Sequence, residues 1–146
     1  LISDCFNFNM KKSDKLINNL NLIPHPEGGH FSEIYRDTKG CLSHIYYLLQ
    51  SGEKSHWHKL TKNENLHFYD GDPMLVQISY DSKNITSKKL GRNLQKEECL
   101  HLVIKANSWF SMKSLGKYSL IGCTVAPAFD YADFDLAPQN WEPGKN

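Results

Sequence analysis

Charge of one sign, long apolar runs and paired cysteines are all scarce in this sequence. Its 146 residues carry 17 basic and 16 acidic side chains, a formal net charge of +1. So close a balance leaves no long-range field to draw the chain to nucleic acid or to an anionic membrane, so any partner must be recognised locally, in a site. The most basic stretch holds Lys83, Lys88, Lys89 and Arg92 among polar residues without aromatic stacking groups, and reads as a solvated hairpin rather than a phosphate-binding patch. No run approaches the ~18 apolar residues of a membrane span, and no basic region followed by an apolar block opens the chain. Cys5, Cys41, Cys99 and Cys123 form no Cys-x-x-Cys pair and lack the dense spacing of disulfide-stapled secreted domains. These absences predict a soluble, cytoplasmic protein with free thiols and with neither a nucleic-acid nor a membrane partner. The sequon Asn84-Ile85-Thr86 is then an accident of sequence.

Hydrophobic residues make up 40% of the chain and aromatics 12%, enough to close one core in one domain. Ser13 is placed to cap a short helix in which Leu16, Ile17 and Leu20 recur at helical spacing, and Pro24 ends it. Residues 1–11 read as a loose tail or an added edge strand. From His30 onward the pattern is of strand-like runs, Phe31 to Arg36, His44 to Gln50, Leu66 to Tyr69, Met74 to Tyr80, Leu100 to Ile104 and Tyr118 to Val125. Turn residues such as Asp37-Thr38-Lys39-Gly40 and Asp70-Gly71-Asp72-Pro73 separate them. About eight strands punctuated this way predict an all-β sandwich or barrel with one short N-terminal helix. The run Ile45-Tyr46-Tyr47-Leu48-Leu49 does not alternate, as expected of a strand covered on both faces by a second sheet or a partner subunit. After Ala126, three prolines accompany Phe129, Tyr131, Phe134 and Trp141, which predicts a wrapping segment unable to continue a ladder.

The segment from His56 to Gly71 carries the chemistry. His56 and His58 are two apart, so on a regular strand both imidazoles face one side, roughly 6.5 Å apart. A turn through Thr61-Lys62-Asn63 brings Glu64 onto the neighbouring antiparallel strand, beside them. Two imidazoles and a carboxylate form a ligand set suited to a divalent Fe, Mn, Zn or Ni ion. Gly28 and Gly29 serve a turn rather than a phosphate loop, since no helix N-terminus follows, and no nucleotide cofactor is expected.

The order His-x-His, Glu, six residues, Gly resembles the first motif of the cupin superfamily. The flanking residues Leu22-Ile23-Pro24-His25-Pro26-Glu27-Gly28-Gly29, Glu33-Ile34-Tyr35-Arg36 and Gly122-Cys123-Thr124-Val125-Ala126-Pro127 resemble a branch of small cupins long labelled a domain of unknown function. The resemblance implies a double-stranded β-helix, or jelly-roll barrel, over residues 15–137, with tails at 1–14 and 138–146, and a homodimer. It also implies a second motif supplying a fourth ligand, but Phe110 stands where that His would be. His56, His58 and Glu64 are then the expected metal ligands, with His101 a candidate substitute for the fourth.

The remaining candidates form a pocket lining. Glu27 and Arg36 are placed either to bind a ligand, with Arg36 gripping a carboxylate or phosphate bidentately, or to pair with each other or with a neighbouring subunit. Trp109 and Phe110 are candidates to stack a ring, with core packing as the alternative. Two functions follow. One is an isomerase or epimerase acting on a sugar or sugar-nucleotide-like molecule: either an ion held by His56, His58 and Glu64 polarises a carbonyl or hydroxyl while a nearby base moves the proton, or, without metal, His58 or His56 is itself the catalytic base, tuned by Glu64. The other is a non-catalytic small-molecule binder or sensor.

Overall fold

A computed structural model describes residues 10–145, so most of the expected N-terminal tail, with Cys5, lies outside the described residues. Among the described residues a single α-helix, α1 (Lys12–Asn19), precedes twelve strands: β1 (Ile23–Pro24), β2 (His30–Arg36), β3 (Ser43–Gln50), β4 (Lys54–Leu60), β5 (Glu64–Gly71), β6 (Met74–Ser79), β7 (Thr86–Leu90), β8 (Glu98–Cys99), β9 (His101–Ile104), β10 (Trp109–Ser114), β11 (Tyr118–Val125) and β12 (Phe134–Leu136). One sheet has the order β1-β2-β3-β11-β5-β9 and the other β12-β4-β10-β6-β7-β8. All pairings are antiparallel except that of β7 with β8. This is the expected all-β jelly roll with one short helix.

Alternation along the strands sends one set of side chains between the sheets. Tyr47 and Leu49 of β3, Leu66 of β5, Ile121 and Cys123 of β11 meet Met74, Val76 and Ile78 of β6 and Phe110 and Met112 of β10 in one core. On the other side of β3, Leu48 is buried with Leu22, Tyr118 and Leu120, and Leu16, Ile17 and Leu20 of α1 pack against them. The second cover on the non-alternating β3 run is therefore the helix. Ser13 is not its cap: it lies inside α1, buried, and its Oγ accepts a hydrogen bond from Gln50 Nε2 at 2.8 Å.

One other sequence expectation needs correction. The segment after Ala126 does continue a ladder, because β12 pairs with β4 at Phe134↔Leu60 and Leu136↔His58. Its prolines fall at either side of this three-residue strand and cost it no donor. Beyond β12, Trp141 packs on Trp57 and Trp109, with ring centroids 6.3 and 4.7 Å apart. The basic stretch contains strand β7, four of whose five residues are exposed.

The candidate functional site

The cavity, about 390 Å³, opens between the sheets at the end where β12 crosses. Its inner wall carries His25, Glu27, Tyr47, His58, Glu64 and Cys123, and its mouth carries Glu33, Arg36, Phe129, Asp130 and Tyr131.

Glu27 reaches the interior because of the turn that follows it. Gly28 and Gly29 have φ of +109° and +72°, and a Cβ on Gly28 would collide with the Lys54 carbonyl of β4. Only glycine allows this close approach in that backbone conformation. Tyr47 Oη donates to the Gly28 carbonyl at 2.6 Å, and the His56 N–H donates to the Glu27 carbonyl at 2.7 Å, pinning the turn to both sheets.

β4 does not run as a regular strand. Phe110 of β10 pairs with His58, but Met112 pairs with Ser55, so two residues of one strand span three of the other. This bulge shifts the side-chain phase. Ser55 and His58, three apart, both turn inward, and Ser55 Oγ donates to Glu27 Oε1 at 3.1 Å. His56 turns away, and its Nε2 bonds the Pro138 carbonyl at 3.0 Å. His56 is thus not in the cavity, contrary to the expectation from i, i+2 spacing. Among the described residues no three His, Cys, Asp or Glu side chains are arranged to hold a metal ion. The donor set His56, His58 and Glu64 does not fit a metal in this geometry, because the His56 imidazole is turned to Pro138.

His58 is buried, its ring against Phe110 with centroids 4.0 Å apart. Its Nδ1 lies 2.7 Å from the His56 carbonyl, so Nδ1 carries a proton and donates it there. Nε2 faces Glu27 Oε2 at 3.2 Å. That contact has one bridging proton, held by either the imidazole or the carboxyl. His25 accepts the Glu27 backbone N–H at Nδ1, 3.2 Å, which makes it the neutral Nε2–H tautomer. Burial lowers the pKa of both His25 and His58 below the ordinary imidazole value. Burial likewise raises Glu27, and it pushes Glu64 up to about 7 against the opposing pull of His58. Cys123, a buried thiol that also faces the cavity, is raised well above its usual range by burial first and by Glu64 second.

Arg36 lines the mouth as expected, but its fork is engaged. Nε and Nη2 donate to Glu33 at 2.9 and 2.8 Å, and Nη2 also to the Phe129 carbonyl at 3.0 Å. Its partner is Glu33, not Glu27. The other expected lining residues lie elsewhere. Phe110 is wholly buried in the core beneath His58. Trp109 faces outward, with Lys59 Nζ 4.5 Å above its ring. His101 is exposed on β9, stacked on His67 at 5.0 Å and bonded to Asn65 Oδ1 at 3.0 Å, on the far face of the first sheet. Its place on that face also removes it as a fourth ligand. Sequence reasoning missed His25, Tyr47 and Cys123 as wall residues. The Pro-His-Pro-Glu signature was the one available signal for His25.

Comparison with known proteins places this architecture. A family described as Cupin superfamily (DUF985) matches residues 14–137. A hypothetical protein from Leishmania major is similar at 26% identity over 88% of this chain and 89% of its own, with a TM-score of 0.79. A protein from Shewanella oneidensis is similar at 32% identity over 89% of this chain and 87% of its own, with a TM-score of 0.83. Oxalate decarboxylase from Bacillus subtilis shares the fold at 13% identity, with a TM-score of 0.62 over 77% of this chain and 29% of that one. No curated protein matches this chain. The jelly-roll order of the two sheets and the family match over nearly the whole domain agree: this chain belongs to the cupin superfamily, in the branch described as DUF985.

Proposed function

We propose that this cupin binds a small polar molecule in the barrel and moves a proton on it, as an isomerase or epimerase does. The observation that carries the reading is the buried His58–Glu27 contact. With Nδ1 committed to the His56 carbonyl, the proton between Nε2 and Glu27 Oε2 is the one that exchanges with a ligand. Glu64, titrating at about 7, both holds and releases a proton at neutral pH. A catalytic acid or base works best with its pKa near the operating pH, and two groups poised this way in one cavity take a proton from one atom and return it to another. Glu27 joins His58 and Glu64 in this machinery, and the chemistry stands without a metal.

The test is solvent exchange. Incubation in D₂O with a panel of aldoses and ketoses, their amino derivatives and their phosphates is expected to place deuterium on the carbon beside the carbonyl of a bound member, read by proton NMR. His58→Ala and Glu27→Gln abolish the uptake, whereas His56→Ala, outside the cavity, retains it. Binding without deuterium uptake establishes the alternative, a non-catalytic binder. Failure of every member to shift cavity resonances counts against both.

A further inference from the structure

The cavity's charge is lopsided. Four carboxyl side chains line it, Glu27, Glu33, Glu64 and Asp130, against one cation, Arg36. That cation is neutralised where it stands, its fork closed on Glu33. His25 contributes no charge, because its Nδ1 accepts a backbone N–H. His58 and Glu27 share one proton, so that pair is neutral overall. Glu64 is left as a buried carboxyl facing the cavity, and among the described residues no salt bridge reaches it. Asp130 stands at the exposed rim with one oxygen accepting the Ala132 N–H at 2.9 Å.

Over these carboxyls the strap after β11 lays an aromatic cluster. Phe129 and Tyr131 meet edge to face at 4.9 Å, and each contacts Phe134 at 6.1 Å. Aromatic faces attract cations through their quadrupole, and several together form a cage for ammonium groups. A phosphate or carboxylate finds no free cation on this wall, since the fork of Arg36 is already closed on Glu33.

We propose that the ligand is an organic cation, a protonated or quaternary amine whose positive group seats beside the Glu64 carboxyl under Phe129, Tyr131 and Phe134. This deepens the proposed function and rests on its premise that the barrel holds a small molecule. A cation bound there favours ionised Glu64, so binding releases a proton and tightens as pH rises through neutrality. The other groups facing the cavity do not mimic this. Tyr47 and Cys123 are held well above that range, His25 and His58 below their ordinary value, and Glu27 shares its proton with His58.

Calorimetric and NMR titration with three probes tests the proposal: choline, its neutral carbon isostere 3,3-dimethyl-1-butanol, and glucose 6-phosphate. Choline is expected to bind at least about tenfold more tightly than the isostere, with shifts confined to the cavity wall. Its affinity rises between pH 6 and 8, with proton release detected as a dependence of the heat on buffer ionisation enthalpy. Glu64→Gln removes the preference for choline and the proton release. Tyr131→Ala, a substitution at an exposed rim residue that spares the core, weakens choline several-fold and the isostere less. Equal binding of choline and isostere, or tighter binding of glucose 6-phosphate, overturns the cation while leaving a ligand-binding barrel in place. If none of the three probes reaches the cavity, the cation is overturned as well; the proposed function falls only if its own sugar panel also fails.

Discussion

At the scale of single residues, the decisive quantity is what burial does to a proton. Glu64 in the folded protein holds its proton up to about 7, whereas the unfolded chain releases it near 4.5. Between those values the native state binds more protons, so Glu64's contribution is fully present below the unfolded pKa and is lost as pH rises through the folded one. The accumulated loss is roughly 3 kcal/mol. Glu27 shifts in the same direction, so the comparison that isolates Glu64 is with Glu64→Gln. Urea unfolding at pH 5 and pH 8 is expected to show the variant gaining up to roughly 3 kcal/mol relative to wild type at the higher pH. A difference that stays constant with pH would refute it. The carboxyl was recognisable in the sequence from its position after His58, but its altered acidity was not, because desolvation depends on walls contributed by other strands. His56 illustrates the same limit. Its spacing from His58 is correct for a shared face, and the bulge that separates them appears only when β4 is paired with β10.

At the scale of elements, the turn between β1 and β2 and the strap after β11 set the cavity's two sides. The turn is the more exacting, since Gly28 combines φ of +109° with contact against the β4 backbone. Gly28→Ala is expected to cost about 2 kcal/mol or more, seen as a lower melting temperature, because the new methyl group must push β4 away in a conformation that L-residues avoid. Gly40→Ala provides the control: it shares the positive φ, 72°, but its Cβ would meet nothing within 4 Å. Equal losses in the two variants would show that the β4 contact carries no weight. The strap was legible as aromatic and proline-rich, yet its short ladder with β4 was not. Three residues are too few for a periodic signal, and their pairing is set by a strand more than seventy residues earlier.

At the scale of the whole molecule, the outer face of the first sheet is only half covered. Helix α1 lies over Leu48 and Leu120, while Tyr35 and Tyr69 stay 52% and 42% exposed beside His44 and His67. A homodimer, the expectation carried by the family resemblance, would cover such a face in a two-fold arrangement. Light scattering is expected to return twice the 16.8 kDa chain mass, and Tyr69→Glu to halve it. A monomeric wild type would end that expectation. No helix among the described residues is long and apolar enough to cross a membrane. The sequence by itself determined the all-β architecture, the single helix and the cupin family, because alternation, turn residues and the Pro-His-Pro-Glu-Gly-Gly signature are local and survive without knowledge of partners. Tertiary structure alone decided which side chains share the cavity. A one-residue bulge reverses the facing of every residue beyond it, and burial, tautomer and charge balance arise only where strands far apart in the chain close around the same space.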